Sequence, residues 1–144
     1  MKVYCFYNDD YKSLHEAFLK SAKKLGDNLD IISHYHEFSG YADKTQKRVG
    51  GKISRLQSRT VSNLIIDTIV QAVDENQGDK VIYSHIDVRY INKFSDIISG
   101  ELDSVDLVAP KFSVKLPSYI STGFIGFNAS PQVKAFFLKV KEEL

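Results

Sequence analysis

Residues 81–94 read VIYSHIDVRYINKF, an apolar run that turns into a charged one. The β-branched and aromatic residues at its start predict a strand over residues 80–87. His85, Asp87 and Arg89 are spaced two apart near its carboxyl end, so a persisting strand would point all three to one side. An imidazole and a carboxylate at this spacing can share a divalent ion, for which Mn²⁺ or Mg²⁺ is the expected choice. A surface ion pair of Asp87 with Arg89, beside a partly buried His85, is the structural alternative.

On both sides of this run, segments in which apolar residues have the spacing of a strand alternate with segments in which they have the spacing of a helix. Ser13 with Glu16 predicts a capping box for the first helix and Gly26 predicts its end, while the Ser-Pro pair at 130–131 is typical of a helix start. The order of elements predicts an α/β fold, one domain over residues 1–144 with a mainly parallel sheet flanked by helices. Ligands of such sheets bind beyond the carboxyl ends of the strands, where the strand order reverses. The predicted strands cover 2–8, 30–38, 80–87, 106–110 and 119–128, and the predicted helices cover 14–25, 53–75, 94–100 and 131–144.

The composition is that of an ordinary globular protein. Of the 144 residues, 43% are hydrophobic and 26% charged, which excludes intrinsic disorder, collagen and coiled coils. A formal net charge of +1 argues against broad electrostatic binding to nucleic acid. No apolar run is long enough for a membrane span, and the single Cys5, between aromatic residues, is interpreted as a core residue. We therefore expect a cytoplasmic protein without a membrane span.

The arginines of the chain are concentrated in one place. The segment from Lys44 to Arg59 has six basic residues and no acidic one. Within it Lys52, Arg55 and Arg59 follow at i, i+3 and i+7, which puts them on one stripe of the predicted long helix, after a glycine pair. Backbone donors at a helix start together with guanidinium groups suit a phosphate. A solvated basic helix face is the alternative interpretation.

Polar residues also interrupt the other predicted strands. Ser121-Thr122-Gly123 places two hydroxyls and a glycine in an apolar strand, a pattern typical of close approach by a ligand or of a plain bulge. His34 and His36 share a strand face with no third ligand in sight, so we interpret them as half-exposed strand residues. The nucleophile-elbow, zinc-protease, thioredoxin and dinucleotide-binding motifs are absent from the sequence, which disfavours those enzyme classes.

Two motifs, taken in order, resemble those of the GT-A-type nucleotide-diphospho-sugar transferases, a group of glycosyltransferases. In that family a short apolar strand ends in an Asp-x-Asp motif followed by an apolar stretch and a short helix, and VIYSHIDVRYINKF at 81–94 has this pattern. The second family feature is an Asn-Thr-Gly-Phe-like strand followed by a helix, matched about 35 residues later by STGFIGFNASPQVKAFFLKV at 121–140. The resemblance covers most of the chain and implies a single Rossmann-like GT-A domain.

The resemblance also implies roles for individual residues. Asp87 matches the second Asp of the motif, which binds the divalent ion bridging the diphosphate. His85 occupies the first Asp position, which touches the ribose or the metal. Thr122 and Gly123 match the segment that lines the donor-sugar and acceptor pocket. The nucleotide- and donor-binding residues are therefore expected to be Phe6, Tyr7 and Asn8 at the end of the first strand, Lys52, Arg55 and Arg59 in the basic segment, and His85, Asp87, Arg89, Thr122 and Gly123.

The implied function is metal-dependent transfer of a sugar from a nucleotide sugar, foremost a UDP-sugar, to a hydroxyl of a glycan or other acceptor, with Mn²⁺ (or Mg²⁺) as cofactor. A retaining route is favoured, because no carboxylate base can be assigned near the acceptor. Two departures from the family pattern, His85 in place of Asp and a chain that stops at Leu144 where family members continue, motivate an alternative. That alternative is a non-catalytic nucleotide-sugar binding or assembly module. A nucleotidyltransferase is disfavoured, because Asn8-Asp9-Asp10 stands where its basic, Gly-rich loop is expected.

Overall fold

A computed structural model describes residues 1–37, 55–110 and 122–144 of the chain, and the side chains of residues 55–59 are outside that description. The described strands are β1 (Lys2–Tyr7), β2 (Asp30–Tyr35), β3 (Lys80–Ser84), β4 (Leu107–Val108) and β5 (Phe124–Asn128). The described helices are α1 (Lys12–Leu25), α2 (Arg55–Glu75), α3 (Ser95–Glu101) and α4 (Pro131–Glu142), and a 3₁₀ turn at Asp9–Tyr11 precedes α1. None of these helices combines the length and the apolar character that crossing a membrane requires.

The five strands form one sheet in the order β2-β1-β3-β5-β4. β1 pairs in parallel with both β2 and β3, whereas β5 is antiparallel to β3 and to β4. Four of the five strands thus run in the same direction and only β5 runs against them, so the sheet is mixed but mainly parallel. The predicted α/β fold is confirmed. From β1 the chain moves outward to β2 and then returns on the other side of β1 as β3, so the strand order reverses between β1 and β3.

Apolar layers cover both faces of the sheet, and β1 and β3 are therefore buried on both sides. On one face α2 and α4 pack over a cluster that includes Tyr4 and Tyr83. On the other face α1 packs through Phe18 over a cluster that includes Cys5. Cys5 is fully buried, as predicted. With both faces covered, the strand ends are the part of the sheet open to polar groups.

Gly126 in β5 makes room for helix α3. A Cβ atom at this position would lie 2.7 Å from Cγ2 of Ile98, closer than packed carbon atoms approach one another. Ile98 belongs to the cluster on the α1 face of the sheet. The glycine in this strand therefore admits a neighbouring helix.

Two of the three predicted helix-end signals are confirmed. Gly26 ends α1 with a left-handed φ of 65°, and Ser130 Oγ accepts a hydrogen bond of 3.2 Å from the Val133 amide at the start of α4. The capping box predicted at Ser13 is wrong. The 3₁₀ turn leads directly into α1, so the helix begins at Lys12 and Ser13 already lies within it, and no side chain caps the helix.

The third predicted strand is shorter than expected. β3 ends at Ser84, and after one further hydrogen bond of 2.8 Å, from the His85 amide to the Gly123 carbonyl, the chain turns away from the sheet. The prediction of a strand that continues to residue 87 is therefore wrong, and the condition for strand alternation to point His85, Asp87 and Arg89 to one side is not met. These residues follow β3 in a turn, where a period of two does not apply.

Candidate functional site

A cavity of about 330 Å³ opens at the carboxyl ends of β1 and β3, where the strand order reverses. Its walls come from the end of β1 and the start of α1, from one residue of α2, and from the turn after β3. This is the position at which sheets of this kind bind their ligands. The lining residues are Phe6, Tyr7, Asn8, Tyr11, Leu14, Val61, His85, Ile86 and Asp87.

The imidazole of His85 and the carboxylate of Asp87 are neighbours in the turn after β3. Nδ1 of His85 lies 3.8 Å from Oδ1 of Asp87, and the two side chains are 29% and 71% exposed. Burial lowers the pKa of His85, and the nearby Asp87 charge opposes this effect without cancelling it. The imidazole is therefore neutral at pH 7, which is the form that accepts a proton or binds a metal ion.

His85 is held in place by two contacts. Its backbone amide donates to the Gly123 carbonyl, and its ring meets the ring of Tyr83 edge-on, with the centroids 5.6 Å apart. Nε2 of His85 is buried and has no hydrogen-bond partner among the described residues. Native structures rarely leave a buried polar atom unpaired, and such exceptions include atoms that serve catalysis or bind an ion or a water molecule.

His85 and Asp87 together offer two ligands to a cation. No group of three or more His, Cys, Asp or Glu side chains that could hold an ion occurs within residues 1–37, 55–110 and 122–144. An imidazole and a carboxylate fit an ion that takes its other ligands from water or from a bound phosphate, as Mg²⁺ and Mn²⁺ do in phosphate-binding sites. These two ligands therefore suit an ion that also binds water or a phosphate better than a structural ion, whose ligands all come from the protein.

The end of β1 supplies a packed wall of the cavity. The ring of Phe6 lies near that of Tyr83, with the centroids 6.5 Å apart, and meets the ring of His36 edge-on at 5.7 Å. Asn8 is only 1% exposed, and its backbone carbonyl accepts a 3.1 Å hydrogen bond from the Tyr11 backbone amide. These contacts hold the cavity-lining residues of β1 in place on the sheet.

The structure brings together most of the predicted residues that it describes. Gly123 reaches the site through its hydrogen bond to the His85 backbone, and Thr122 is exposed in the turn that precedes β5. Predicted residues that line the cavity directly are Phe6, Tyr7, Asn8, His85 and Asp87.

The predicted cationic residues are not part of the described cavity wall. Arg89 is exposed and is absent from the lining. Lys52 lies outside the described residues. Arg55 and Arg59 lie in the first turns of α2, and their side chains are outside the description. The phosphate site assigned to this basic stripe therefore stays a prediction.

Four cavity residues were missed by sequence reasoning. Leu14 and Val61 belong to the apolar faces of helices, where a core role is the ordinary expectation, and Ile86 lies between two polar residues. Tyr11 gave a usable signal, because an aromatic residue in the polar segment after β1 has no predicted core to join. Tyr11, Leu14 and Val61 reach the cavity because the starts of α1 and α2 lie near the strand ends, and Ile86 reaches it from the turn after β3.

The segment after Asp87 is anchored to the α1 face of the sheet. Tyr90 is buried against Phe18 and Phe94. The Asp27 carboxylate, just past the end of α1, accepts hydrogen bonds from the amides of Phe94 and Ser95 and from the Ser95 hydroxyl. The turn that carries His85 and Asp87 is thus tied to the molecule at both ends.

The histidines of the β2 segment are partly buried. His34 stacks on Tyr4 with the ring centroids 5.7 Å apart, and His36, one residue past the end of the strand, packs on Phe6. The interpretation as half-exposed strand residues agrees with this placement, except that His36 lies just beyond β2.

Solved glycosyltransferases share this fold. The apo form of the glycosyltransferase GlyE from Streptococcus pneumoniae TIGR4 matches 100% of this chain with a TM-score of 0.67 at 14% sequence identity. The galactosyltransferase LgtC in complex with donor and acceptor sugar analogs matches 99% of the chain with a TM-score of 0.56 at 13% identity. An active-site mutant of LgtC gives a TM-score of 0.53. No protein-family model and no curated protein sequence matches the chain.

The likeness extends over only part of these enzymes. The chain spans 39% of the GlyE chain and 66% of the LgtC chain. At such low identity the comparison shows the fold, which is the mainly parallel α/β arrangement of the matching regions.

Proposed function

We propose that this chain forms the nucleotide-sugar-binding part of a GT-A-type glycosyltransferase and that the cavity at the ends of β1 and β3 receives the nucleotide of a UDP-sugar. One observation carries the proposal. Aromatic and amide groups from the end of β1 line the same cavity as the His85–Asp87 pair. The fold shared with GlyE and LgtC supports it.

The chemistry of the cavity suits the two halves of a nucleoside diphosphate. Phe6, Tyr7 and Tyr11 provide aromatic surface for a base, while His85 and Asp87 provide a polar end for a diphosphate with its counter-ion. The volume of about 330 Å³ lies near the lower end of ordinary ligand pockets, about 300–1,000 Å³. The cavity therefore holds part of the donor, with the sugar extending beyond it towards Thr122 and Gly123.

In this proposal a divalent ion, Mn²⁺ (or Mg²⁺), is bound by Asp87 and His85. The exposed carboxylate of Asp87 can reach a shared ion, and the neutral imidazole of His85 needs to lose no proton to do so. The ion would supply positive charge next to the departing diphosphate. The basic side chains of Lys52, Arg55 and Arg59 are proposed to add charge from the start of α2, and Arg89 from the turn after β3.

The proposed reaction transfers the sugar to an acceptor hydroxyl. The bond between the anomeric carbon and the phosphate oxygen breaks with its electron pair on the diphosphate. The acceptor oxygen forms the new bond to the anomeric carbon, and its proton passes to the departing diphosphate oxygen. Asp87 is the only carboxylate among the described lining residues, and its proposed role is to bind the ion. With no second carboxylate there to act as a base, we favour a retaining route.

The decisive experiment is a melting curve of the chain with UDP and MnCl₂. At about 100 times the Kd, binding adds about 2.7 kcal/mol to the free energy of unfolding, and this corresponds to a rise of several degrees in Tm. Asp87→Ala is expected to abolish the rise. Asp30→Ala is the matched control, because Asp30 is an exposed carboxylate at the amino end of β2, whereas the cavity lies at the carboxyl ends of the strands. No rise at millimolar UDP and Mn²⁺, or a rise that survives Asp87→Ala, would contradict the proposal.

A non-catalytic nucleotide-sugar binding module is the second candidate. It is favoured by His85, which stands in the first Asp position of the motif. Both candidates predict that UDP binds, but only the transferase releases UDP from UDP-sugars in the presence of acceptor. A coupled assay for released UDP separates them.

A further inference from the structure

The ring of Tyr7 in the cavity wall lies face to face with the ring of His15. The two centroids are 3.9 Å apart and the planes differ by 5°. Aromatic pairs in proteins usually have centroids about 4.5–7 Å apart in offset or edge-on arrangements, so this contact is unusually close and parallel. Tyr7 ends β1 and His15 lies in α1, so the contact joins the cavity wall to a helix.

His15 is itself held from strand β2. Its Nε2 atom lies 2.8 Å from Oγ of Ser33, and this oxygen lies 3.4 Å from Sγ of Cys5, the partner of Ser33 in the β1–β2 register. His15 is 8% exposed, and burial lowers its pKa against the opposing charge of Glu16 on the same helix. The neutral ring therefore has its plane fixed by a hydrogen bond to a neighbouring strand.

Tyr7 has a second tethered neighbour in Tyr35, the last residue of β2. The rings of Tyr7 and Tyr35 meet edge-on at 5.6 Å, and the Tyr35 hydroxyl donates a 3.1 Å hydrogen bond to Oδ2 of Asp9. The Tyr7 ring thus contacts two rings, each fixed by a hydrogen bond. Its orientation is set before any ligand arrives, which reduces the entropy lost on binding.

We propose that His15 is a positioning residue that holds the Tyr7 ring in the orientation in which it meets the base of a bound nucleotide. This inference rests on the proposed function, which places a nucleotide in the cavity. His15 is absent from the described cavity lining. Its contact with the Tyr7 ring is the route by which we expect it to influence binding.

A double-mutant cycle tests this dependence. UDP affinity in the presence of MnCl₂ is measured by calorimetry for the unchanged chain, Tyr7→Ala, His15→Ala and the double variant. Each single change is expected to weaken binding about three- to tenfold, the range for one aromatic contact, and the double variant is expected to bind no more weakly than Tyr7→Ala. Losses that multiply in the double variant would show that His15 acts independently of Tyr7 and would overturn the proposal.

A matched pair of substitutions separates stacking from simple filling of the core. His15→Phe keeps a flat ring beside Tyr7, whereas His15→Leu keeps apolar volume without a ring. His15→Phe loses the hydrogen bond to Ser33 but keeps the ring, so we expect it to bind UDP more tightly than His15→Leu, and His15→Leu to bind about as weakly as His15→Ala. Equal affinities of the Phe and Leu variants, measured below the melting temperature of both, would overturn the stacking role.

Aromatic NMR signals of Tyr7 in the ligand-free chain give a measurement independent of UDP. Nuclear Overhauser contacts between the Tyr7 and Tyr35 rings report the orientation of Tyr7 without depending on the ring at position 15. They are expected to be kept in His15→Phe and weakened in His15→Leu, and unchanged contacts in His15→Leu would overturn the positioning role. If UDP binds and His15→Leu changes neither affinity nor these contacts, the inference fails and the proposed function stands. If the unchanged chain binds no UDP, the proposed function fails, and the NMR comparison decides whether His15 orients Tyr7.

Discussion

His85 has different surroundings at its two ring nitrogens. Nε2 is buried without a hydrogen-bond partner among the described residues, whereas Nδ1 lies 3.8 Å from the largely exposed carboxylate of Asp87. Burial favours the neutral ring and the carboxylate favours the charged one, and burial prevails. The residue is therefore suited to bind a cation as a neutral ligand, while the edge-on contact with Tyr83 holds the ring.

Gly126 allows a test of close packing at a single residue. Gly126→Ala places a methyl group 2.7 Å from Cγ2 of Ile98, and overpacking of this kind typically costs about 1–3 kcal/mol of unfolding free energy. Urea unfolding measures the loss, and adding Ile98→Ala should relieve part of it. Gly100→Ala is the control, because a Cβ there meets nothing within 4 Å in helix α3 and gains about 0.5–1 kcal/mol of helix propensity. A Gly126→Ala variant as stable as the unchanged chain would refute the close contact.

At the scale of the elements, the short helix α3 depends on a carboxylate from another part of the chain. Its N-cap residue Phe94 supplies no side-chain cap. The Asp27 carboxylate takes that place by accepting from the amides of Phe94 and Ser95 at 3.0 and 3.1 Å. Burial would raise the pKa of Asp27, but the hydrogen bonds from Ser95 and the Phe94 amide outweigh it and hold the pKa below its usual range. The anchored helix in turn supports the turn that carries Asp87.

Removal of this tertiary cap should destabilise the fold in a pH-dependent way. Because the folded-state pKa of Asp27 is depressed, its stabilisation is present in full above the ordinary pKa of about 3.9 and is lost as the pH falls through the lower folded value. Asp27→Asn is expected to cost about 1–2 kcal/mol at pH 7, because a hydrogen bond to a charged acceptor contributes about 1 kcal/mol more than one to a neutral acceptor, and the difference should shrink below pH 4.

Urea unfolding of both chains at pH 7, 5 and 3 checks the expected trend. Asp96→Asn serves as the control, because Asp96 is an exposed carboxylate in the first turn of the same helix. Its effect should stay below about 1 kcal/mol. An Asp27→Asn loss that is the same at all three pH values would contradict the role of the charge.

At the scale of the whole molecule, α4 closes the face of the sheet that α2 covers. Phe137 of α4 is 6% exposed and packs edge-on to Phe127 of β5, with the centroids 6.4 Å apart. Two surface ion pairs, Lys134 with Asp74 and Lys141 with Asp67, join α4 to α2. Exposed pairs contribute little, so apolar burial holds this layer together.

Neighbouring phenylalanines on α4 give a direct comparison of burial. Phe137→Ala is expected to cost about 3–5 kcal/mol, a large part of the roughly 5–15 kcal/mol that stabilises a domain. Phe136→Ala, at a side chain 56% exposed, should cost less than about 1 kcal/mol. Denaturant midpoints of the two variants check the difference, and similar losses at both positions would contradict the packing of this helix.

The short-range spacing of apolar residues was sufficient to predict most of the secondary structure. The apolar periods predicted every described strand and helix, because burial on two faces or on one stripe leaves a period in the sequence. Ser130 and Gly26 marked helix ends through the hydrogen bond or backbone angle that each residue type favours. Phe6, Tyr7 and Asn8 could be placed at the site because the carboxyl end of a first strand in an α/β sheet is a ligand position.

Short-range pattern is enough to predict the order of elements, the α/β class and the polar residues at the strand ends, since each depends on neighbours within a few positions. The end of β3 is not predictable in this way, because it depends on pairing with β5. The same holds for Leu14 and Val61 in the cavity wall and for Asp27, which caps a helix 68 residues later along the chain. Contacts at such separations arise from the packing of whole elements, which no local period encodes.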